Sequence, residues 1–386
     1  VNLPMSDSGR VAPSAVAGRV KVFAWIMGVL ALGTAAAWGF VAVFVRRMVS
    51  WKPRVRSVTV TAVKDGRVHL EHSNMGQYDG AFTLRWPGGN AQVGALRAGG
   101  ISTWREVLTT TGAIPLGTLT VSSYPGLSPD AGGTFDDVLI RSSGRDVPAW
   151  QYGPDAATWM IHVHGVRSNR LHTLWSVPAA TAAGFTSLVI AYRGAPDGPK
   201  TGRHAGMGAY EAGDVVAAIE YAASHGAEKI VLSGWSMGAS ACLLATEHTP
   251  HRDRIVGHVL VAPTISWRHV MRSGARRLGL PQWISSVVEW TITTPLVAQA
   301  VGMPVRVDLD ALDWATPPAR LREPALVFGS RSDTNTPFET LTAFAESNPG
   351  LVEMHEVETC IHGWEPNADP DMFRSTLHGW LIARRQ

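Results

Sequence analysis

The hydrophobic pattern of this chain divides into three regimes. The first is Val22 to Val45 (VFAWIMGVLALGTAAAWGFVAVFV), 24 residues without one charge and 20 of them apolar. As a helix this run would be about 36 Å long, enough to cross a hydrocarbon core of roughly 30 Å. Backbone polar groups in a bilayer must be satisfied within the segment, which favours an uninterrupted helix. The run exceeds the apolar part of a cleaved signal peptide, about 7–15 residues, and ends in Arg46-Arg47. It therefore predicts a retained single-pass transmembrane helix over 22–45, after a tail of residues 1–21. Five basic residues follow the span (Arg46, Arg47, Lys52, Arg54, Arg56) and three precede it (Arg10, Arg19, Lys21). That is a weak lean toward a cytoplasmic C-terminal side.

In the second regime, apolar and polar residues alternate in short β segments: SVTVTAV, DGRVHLEH and GAFTLRW, with Asp65-Gly66 and Pro87-Gly88-Gly89 as turns. Residues 57–135 are expected to form a β-rich extension, and no chemical motif stands out in it. The third regime begins at residue 136. Nearly continuous apolar runs (TWMIHVH, SLVIAY, KIVLSG, HVLVAP, ALVFGS) alternate with helical stretches such as YEAGDVVAAIEYAASH and MGASACLLATEH. Strands of that kind, separated by helices, predict an α/β domain over 136–386: a mostly parallel central sheet covered by helices on both faces. Ligands of such sheets lie at the carboxyl ends of the strands.

Candidate chemistry falls at those ends. KIVLS leads into Gly234-Trp235-Ser236-Met237-Gly238, a G-x-S-x-G pattern in a strand–turn–helix setting. The sharp turn demands small residues two positions either side of Ser236, and presents its hydroxyl beside the free N–H groups of a helix start. ALVFGS is followed by Asp333 in a loop, with Thr336-Pro337 as the expected N-cap and first residue of the next helix. After a last strand over 351–357, His362 precedes the terminal helix, where it is placed to act as a general base. His355 inside the strand and His378 inside the helix read as structural. The order Ser236, Asp333, His362 is that of the nucleophile-elbow hydrolases.

On these motifs, residues 136–386 resemble the alpha/beta-hydrolase superfamily. The resemblance includes His164-Gly165 after TWMIHVH, an H-G pair that opens the oxyanion-hole loop in that family. It implies Val166 N–H and Met237 N–H as the two oxyanion donors, and Ser236, Asp333 and His362 as the catalytic triad. Ala191-Tyr192-Arg193-Gly194 and Glu211-x-x-Asp214 resemble the monoacylglycerol-lipase-like and related membrane-associated branches, with Ala195-Pro196-Asp197-Gly198 standing where those branches carry a further Gly and Ser. Glu211 and Asp214 read as a helix-start and a loop-bracing group rather than catalysts. No cofactor is implied, and His162-x-His164 lacks a third ligand for a metal.

Residues 264–324 are too many for a simple crossover and predict a helical cap with Trp267, Trp283, Trp290 and Trp314, most of them expected to pack it onto the body. An apolar lid over a serine nucleophile suits a hydrophobic ester or lipid substrate. The expected function is a membrane-anchored serine esterase or lipid acyl-hydrolase. One alternative is a serine peptidase, in which Asp308, Asp310 and Asp313 would be candidates for holding a peptide amino terminus. Another is a non-catalytic membrane-tethered module.

Composition and charge then refine the picture. Of 386 residues, 45% are hydrophobic and 17% charged, which excludes disorder for the chain as a whole. Cys242 and Cys360, the only two cysteines, cannot build a disulfide framework and read as buried thiols. The net charge of +3 is uneven: residues 1–56 hold eight basic groups and only Asp7, so the rest carries −4. The basic character belongs to the flanks of the apolar run, which removes the main support for a nucleic-acid partner.

Overall fold

The computed structural model describes residues 13–48, 55–99, 102–201 and 205–385. Contacts divide it into one unit up to Met48 and another from Val49. The first unit is helix α1, Pro13–Met48, which begins within the stretch expected to be a tail; residues 1–12 of that tail lie outside the described residues. Its segment Lys21–Arg47, with mean hydropathy 2.0, is long and apolar enough to cross a membrane.

In the second unit, alternation over 56–122 resolves into seven strands: β1 Arg56–Lys64, β2 Arg67–Leu70, β3 Phe82–Trp86, β4 Gly89–Val93, β5 Arg97–Gly99, β6 Ser102–Thr110 and β7 Gly117–Ser122. Their order is β2-β1-β7-β3-β4-β6-β5, and β2 also pairs with β6, so six of them close into an antiparallel barrel. Closure leaves those six without free edges. Val58, Val60, Val68, Leu84 and Val121 fill the interior, and Trp364 from far along the chain joins them. The sequence pattern reveals only three of these strands. β4 and β7 are poor in large apolar residues, and β6 carries a fully buried Arg105 that breaks its alternation.

The larger sheet contains β8 Phe135–Ser142, β9 Arg145–Tyr152, β10 Thr158–Val163, β11 Thr186–Ile190, β12 Lys229–Trp235, β13 Ile255–Val261, β14 Ala325–Gly329 and β15 Val352–Glu356. Its order is β15-β14-β13-β12-β10-β11-β9-β8, antiparallel at β8 and β9 and parallel elsewhere. Every residue of β10, β11 and β14 is buried, because both faces are covered. On one face, α2 (Val177–Ala182) and α10 (Pro370–Arg385) pack Ala180, Phe373 and Leu377 against Met160, Val231 and Phe328. On the other, α4 (Met237–His248) and α8 (Phe338–Ser347) pack Leu243, Leu341 and Phe344 against Leu260 and Val327. Beside α4 lies α3, Ala212–Ser224.

The expected cap consists of α5 Trp267–Arg277, α6 Trp283–Thr293 and α7 Pro295–Ala300, followed by an irregular return to β14. Trp267 and Trp314 are buried as expected, and Trp267 Nε1 donates to Met207 O at 2.8 Å. Trp283 and Trp290 instead face outward, 59% and 50% exposed, so they do not pack the cap onto the body.

Buried charge fixes the corner where β8, β11 and α3 meet. Asp214 on α3 accepts from Arg193 N at 2.8 Å, from the Arg193 guanidinium, and from Ser142 Oγ at 2.5 Å. Glu211 one turn earlier accepts from Gly206 N at 2.8 Å and Gly208 N at 2.9 Å. These are the bracing roles expected for both carboxylates. Removing one partner of a buried ion pair strands the other charge, at a cost of about 3–5 kcal/mol. Asp214→Ala is therefore expected to lower the unfolding free energy by that amount, read as a drop in denaturation midpoint at constant slope.

Candidate active site

Ser236 occupies the tight turn between β12 and α4 with φ 52° and ψ −116°, a conformation costly for a residue with a Cβ. The turn is held by Ser236 N donating to Val261 O at 2.9 Å, and by Ala239 N and Thr264 N donating to Ser236 O at 3.0 and 3.1 Å. The flanking glycines are required by contact. A Cβ at Gly234 would lie 2.5 Å from Ala239 Cα, and one at Gly238 would lie 2.3 Å from Val163 O.

The residues expected at the other strand ends meet this serine. His362, in the loop after β15, has Nε2 at 2.8 Å from Ser236 Oγ and Nδ1 at 2.6 Å from Asp333 Oδ2. The separations fit a ring protonated on Nδ1, donating to the carboxylate and accepting from the hydroxyl. Asp333, in the loop after β14, also accepts from Asn335 N at 2.7 Å and from the Thr336 hydroxyl. Burial alone would raise its pKa, but the charge and hydrogen bond of His362, with the hydrogen bonds of Thr336 and Asn335, hold it below the ordinary aspartate value. Thr336 thus spends its side chain on Asp333 rather than capping a helix; α8 begins at Phe338, one residue past the expected start.

The loop after β10 lies against the same turn. A Cβ at Gly165 would sit 3.0 Å from Trp235 O and 3.1 Å from Ser236 Cβ, so a side chain here would require the turn to give by a few tenths of an ångström. His164 stacks on Tyr192 with ring centroids 4.2 Å apart, and Tyr192 OH donates toward His164 O at 2.9 Å and Gly165 O at 3.1 Å. His164 therefore acts as a buried brace. Val166 follows it in the loop, and Met237 is the first residue of α4, whose opening N–H groups have no intrahelical acceptor. His162 is buried inside the sheet, where desolvation lowers its pKa to about 3 and keeps it neutral. Among the described residues no group of three His, Cys, Asp or Glu side chains could hold a metal ion.

Several participants carried no motif. His172 Nε2 approaches Gly363 O at 2.8 Å, next to His362, and a Cβ at Gly363 would lie 3.2 Å from the His172 ring. Ser332 Oγ donates to Cys360 O and accepts from Cys360 N, both at 2.9 Å, tying the Asp333 loop to the His362 loop. Glu365, three residues past His362, is fully buried and takes a 3.4 Å contact from Cys360 Sγ. Burial, then the charge of Asp333, raise its pKa to about 8. Nothing in the local sequence marks His172 or Ser332, because their partners Gly363 and Cys360 lie far away along the chain. Cys242 and Cys360 are both buried and free.

The model of the alpha/beta hydrolase family matches residues 160–378. An esterase from Pyrococcus furiosus superposes with a TM-score of 0.51 at 18% identity, covering 68% of this chain and 95% of that one. A putative hydrolase from Agrobacterium vitis gives a TM-score of 0.50 at 17% identity over 64% of this chain and 98% of that one. Among curated proteins none matches.

The proton on Glu365 has a consequence for stability. The unfolded chain loses it near the ordinary glutamate value of 4.5, whereas the folded chain keeps it to about 8. The folded state binds more protons between those limits, so stability falls as pH rises, by about 1.4 kcal/mol per pH unit for one such group. Glu211, raised to about 7 by burial, adds to the slope over the lower part of the range. Glu365→Gln is expected to flatten the pH dependence of unfolding between pH 5 and 8, measured by denaturant titration at a series of pH values.

Proposed function

The chain belongs to the alpha/beta hydrolase family, and on that premise we propose that it is a membrane-anchored serine hydrolase that cleaves carboxylic esters through Ser236, His362 and Asp333. The observation that carries this reading is the continuous line of contacts Ser236 Oγ–His362 Nε2 at 2.8 Å and His362 Nδ1–Asp333 Oδ2 at 2.6 Å. Ser236 Oγ attacks the ester carbonyl carbon as His362 Nε2 takes its proton. Asp333 keeps the ring oriented and stabilises the imidazolium. The carbonyl oxygen, now anionic, accepts from Met237 N–H at the helix start and from Val166 N–H. One such donor contributes about 10²–10³ in turnover. His362 then protonates the departing alcohol, and water releases the acyl group with His362 again as base.

Two features favour an ester over a peptide. Asp308 and Asp313 bond the backbone of their own turns through Asp310 N at 3.0 Å and Ala315 N at 3.1 Å, and Asp310 pairs with Arg268 at 2.6 Å. Those carboxylates are already occupied, which speaks against a pocket for a peptide amino terminus. Two of the cap's helices, α6 and α7, are largely apolar, which suits a hydrophobic acyl group. Residues 22–45 would hold the enzyme at a bilayer, where such substrates concentrate. A small-molecule ester or lipid is thus the proposed substrate, with no nucleic acid involved.

A fluorophosphonate probe should label the wild-type chain and not Ser236→Ala. Asp333→Asn should retain the fold while kcat falls by about 10⁴-fold, the loss seen when the orienting carboxylate of such a triad is neutralised. A series of acyl esters and monoglycerides should turn over faster than p-nitroanilides. Preferential amide cleavage would replace the esterase reading with a peptidase one, and unchanged labelling of Ser236→Ala would remove the nucleophile.

A further inference from the structure

The barrel of β1–β7 lies entirely before residue 160, where the family match begins. One place where it meets the larger sheet's domain is the segment that carries His362. Trp364 sits within the apolar interior of the barrel, edge-on to Tyr78 with centroids 5.3 Å apart. Tyr78 OH donates toward Trp364 O at 3.5 Å. Three residues on, the contact becomes a two-point backbone clasp. Ala81 N donates to Asn367 O at 2.7 Å, and Asn367 Nδ2 donates to Ala81 O at 3.0 Å. The approach is so close that a Cβ at Gly80 would lie 2.4 Å from Asn367 O.

The barrel side of this clasp is itself rigidly held. Arg105 in β6 is fully buried and forms no ion pair within 4.0 Å among the described residues. It spends its guanidinium on carbonyls, donating to Gly80 O at 2.7 Å, to Gly94 O at 2.9 Å and to Tyr78 O. A buried charge is costly, and here it serves to fix the backbone of 78–80 against the barrel wall. On the opposite side, Gly363 O is held by His172 and Cys360 by Ser332. His362 therefore lies on a loop pinned at Cys360, Gly363, Trp364 and Asn367.

We propose that the barrel is a positioning element for the His362 imidazole, setting its distance to Ser236 and Asp333 through the clasp of Tyr78, Gly80 and Ala81 on Trp364 and Asn367. The proposal rests on the serine-hydrolase reading above. It gives a function to a module in whose sequence no chemical motif stands out. An imidazole that must contact two partners at 2.6 and 2.8 Å tolerates little drift, and a displacement of about 1 Å can cost roughly 10²-fold in rate.

The test uses the full-length chain in detergent with an activated ester. Gly80→Ala wedges the clasp open, and Asn367→Ala removes one of its bonds. Each is made in the wild type and again in His362→Ala. The expected result is a fall in kcat of about 10²-fold for Gly80→Ala and about tenfold for Asn367→Ala, with KM within about twofold. In the His362→Ala background neither should cost anything further, because residues that act through one group are non-additive with its removal. Should Gly80→Ala not fold, Asn367→Ala carries the comparison alone. Equal losses in both backgrounds, or an unchanged kcat, would overturn the positioning role. A His362→Ala chain as active as wild type would overturn the hydrolase reading itself, so the two failures are distinguishable.

Discussion

How closely α4 can approach the ends of β10 and β12 decides the geometry of the site. The turn at Ser236 brings the first residues of that helix against the carbonyls of Val163 and His164 and folds Gly234 onto Ala239. Any side chain at either glycine would push the helix outward. With the gap closed, the serine adopts a positive φ and its hydroxyl meets His362 Nε2. Ser236 directly precedes the first residue of α4, and the strain of the turn is borne by the parallel sheet and the helices packed on it. His362 and Asp333 come to the same place because β14 and β15 run parallel to β12 and end on the same side.

Around this centre the protein buries several ionisable groups, each handled differently. Asp214 and Arg193 neutralise one another at the corner of β8, β11 and α3. Asp333 stays ionised because His362, Thr336 and Asn335 all favour its charged form. Glu211 and Glu365 are held toward the neutral form by desolvation. Arg105 gives its donors to backbone carbonyls rather than to a carboxylate. Asp214 with Arg193, Asp333 with His362, and Arg105 with its carbonyls connect segments apart in sequence, so each shapes the fold as well as its local charge.

Parts of the molecule were legible because their signal is local. A strand buried on both faces must be apolar throughout, and β10, β11 and β14 declare themselves by their runs. The glycines around Ser236 and the placing of Asp333 and His362 just after strands are short-range patterns that depend only on a turn and a strand end. The barrel was legible only in part. Its small strands alternate weakly, and at β6 the inward position is an arginine. The cap's aromatics misled for a related reason. Trp267 and Trp314 pack inward while Trp283 and Trp290 face out, and composition cannot distinguish the two faces of an amphipathic helix whose neighbours are unknown.

The sequence by itself determined the apolar run of α1, the alternation of strand and helix after residue 136, and the order of serine, aspartate and histidine along the chain. Each follows from residue type and spacing over a few positions. Only the tertiary structure decided that Thr336 serves Asp333, that His172 and Ser332 hold the histidine loop, and that Trp364 fills the interior of a barrel built nearly three hundred residues earlier. These are contacts between groups whose separation along the chain carries no periodicity. They exist because strand order and loop closure bring the groups together, and nothing local encodes that order.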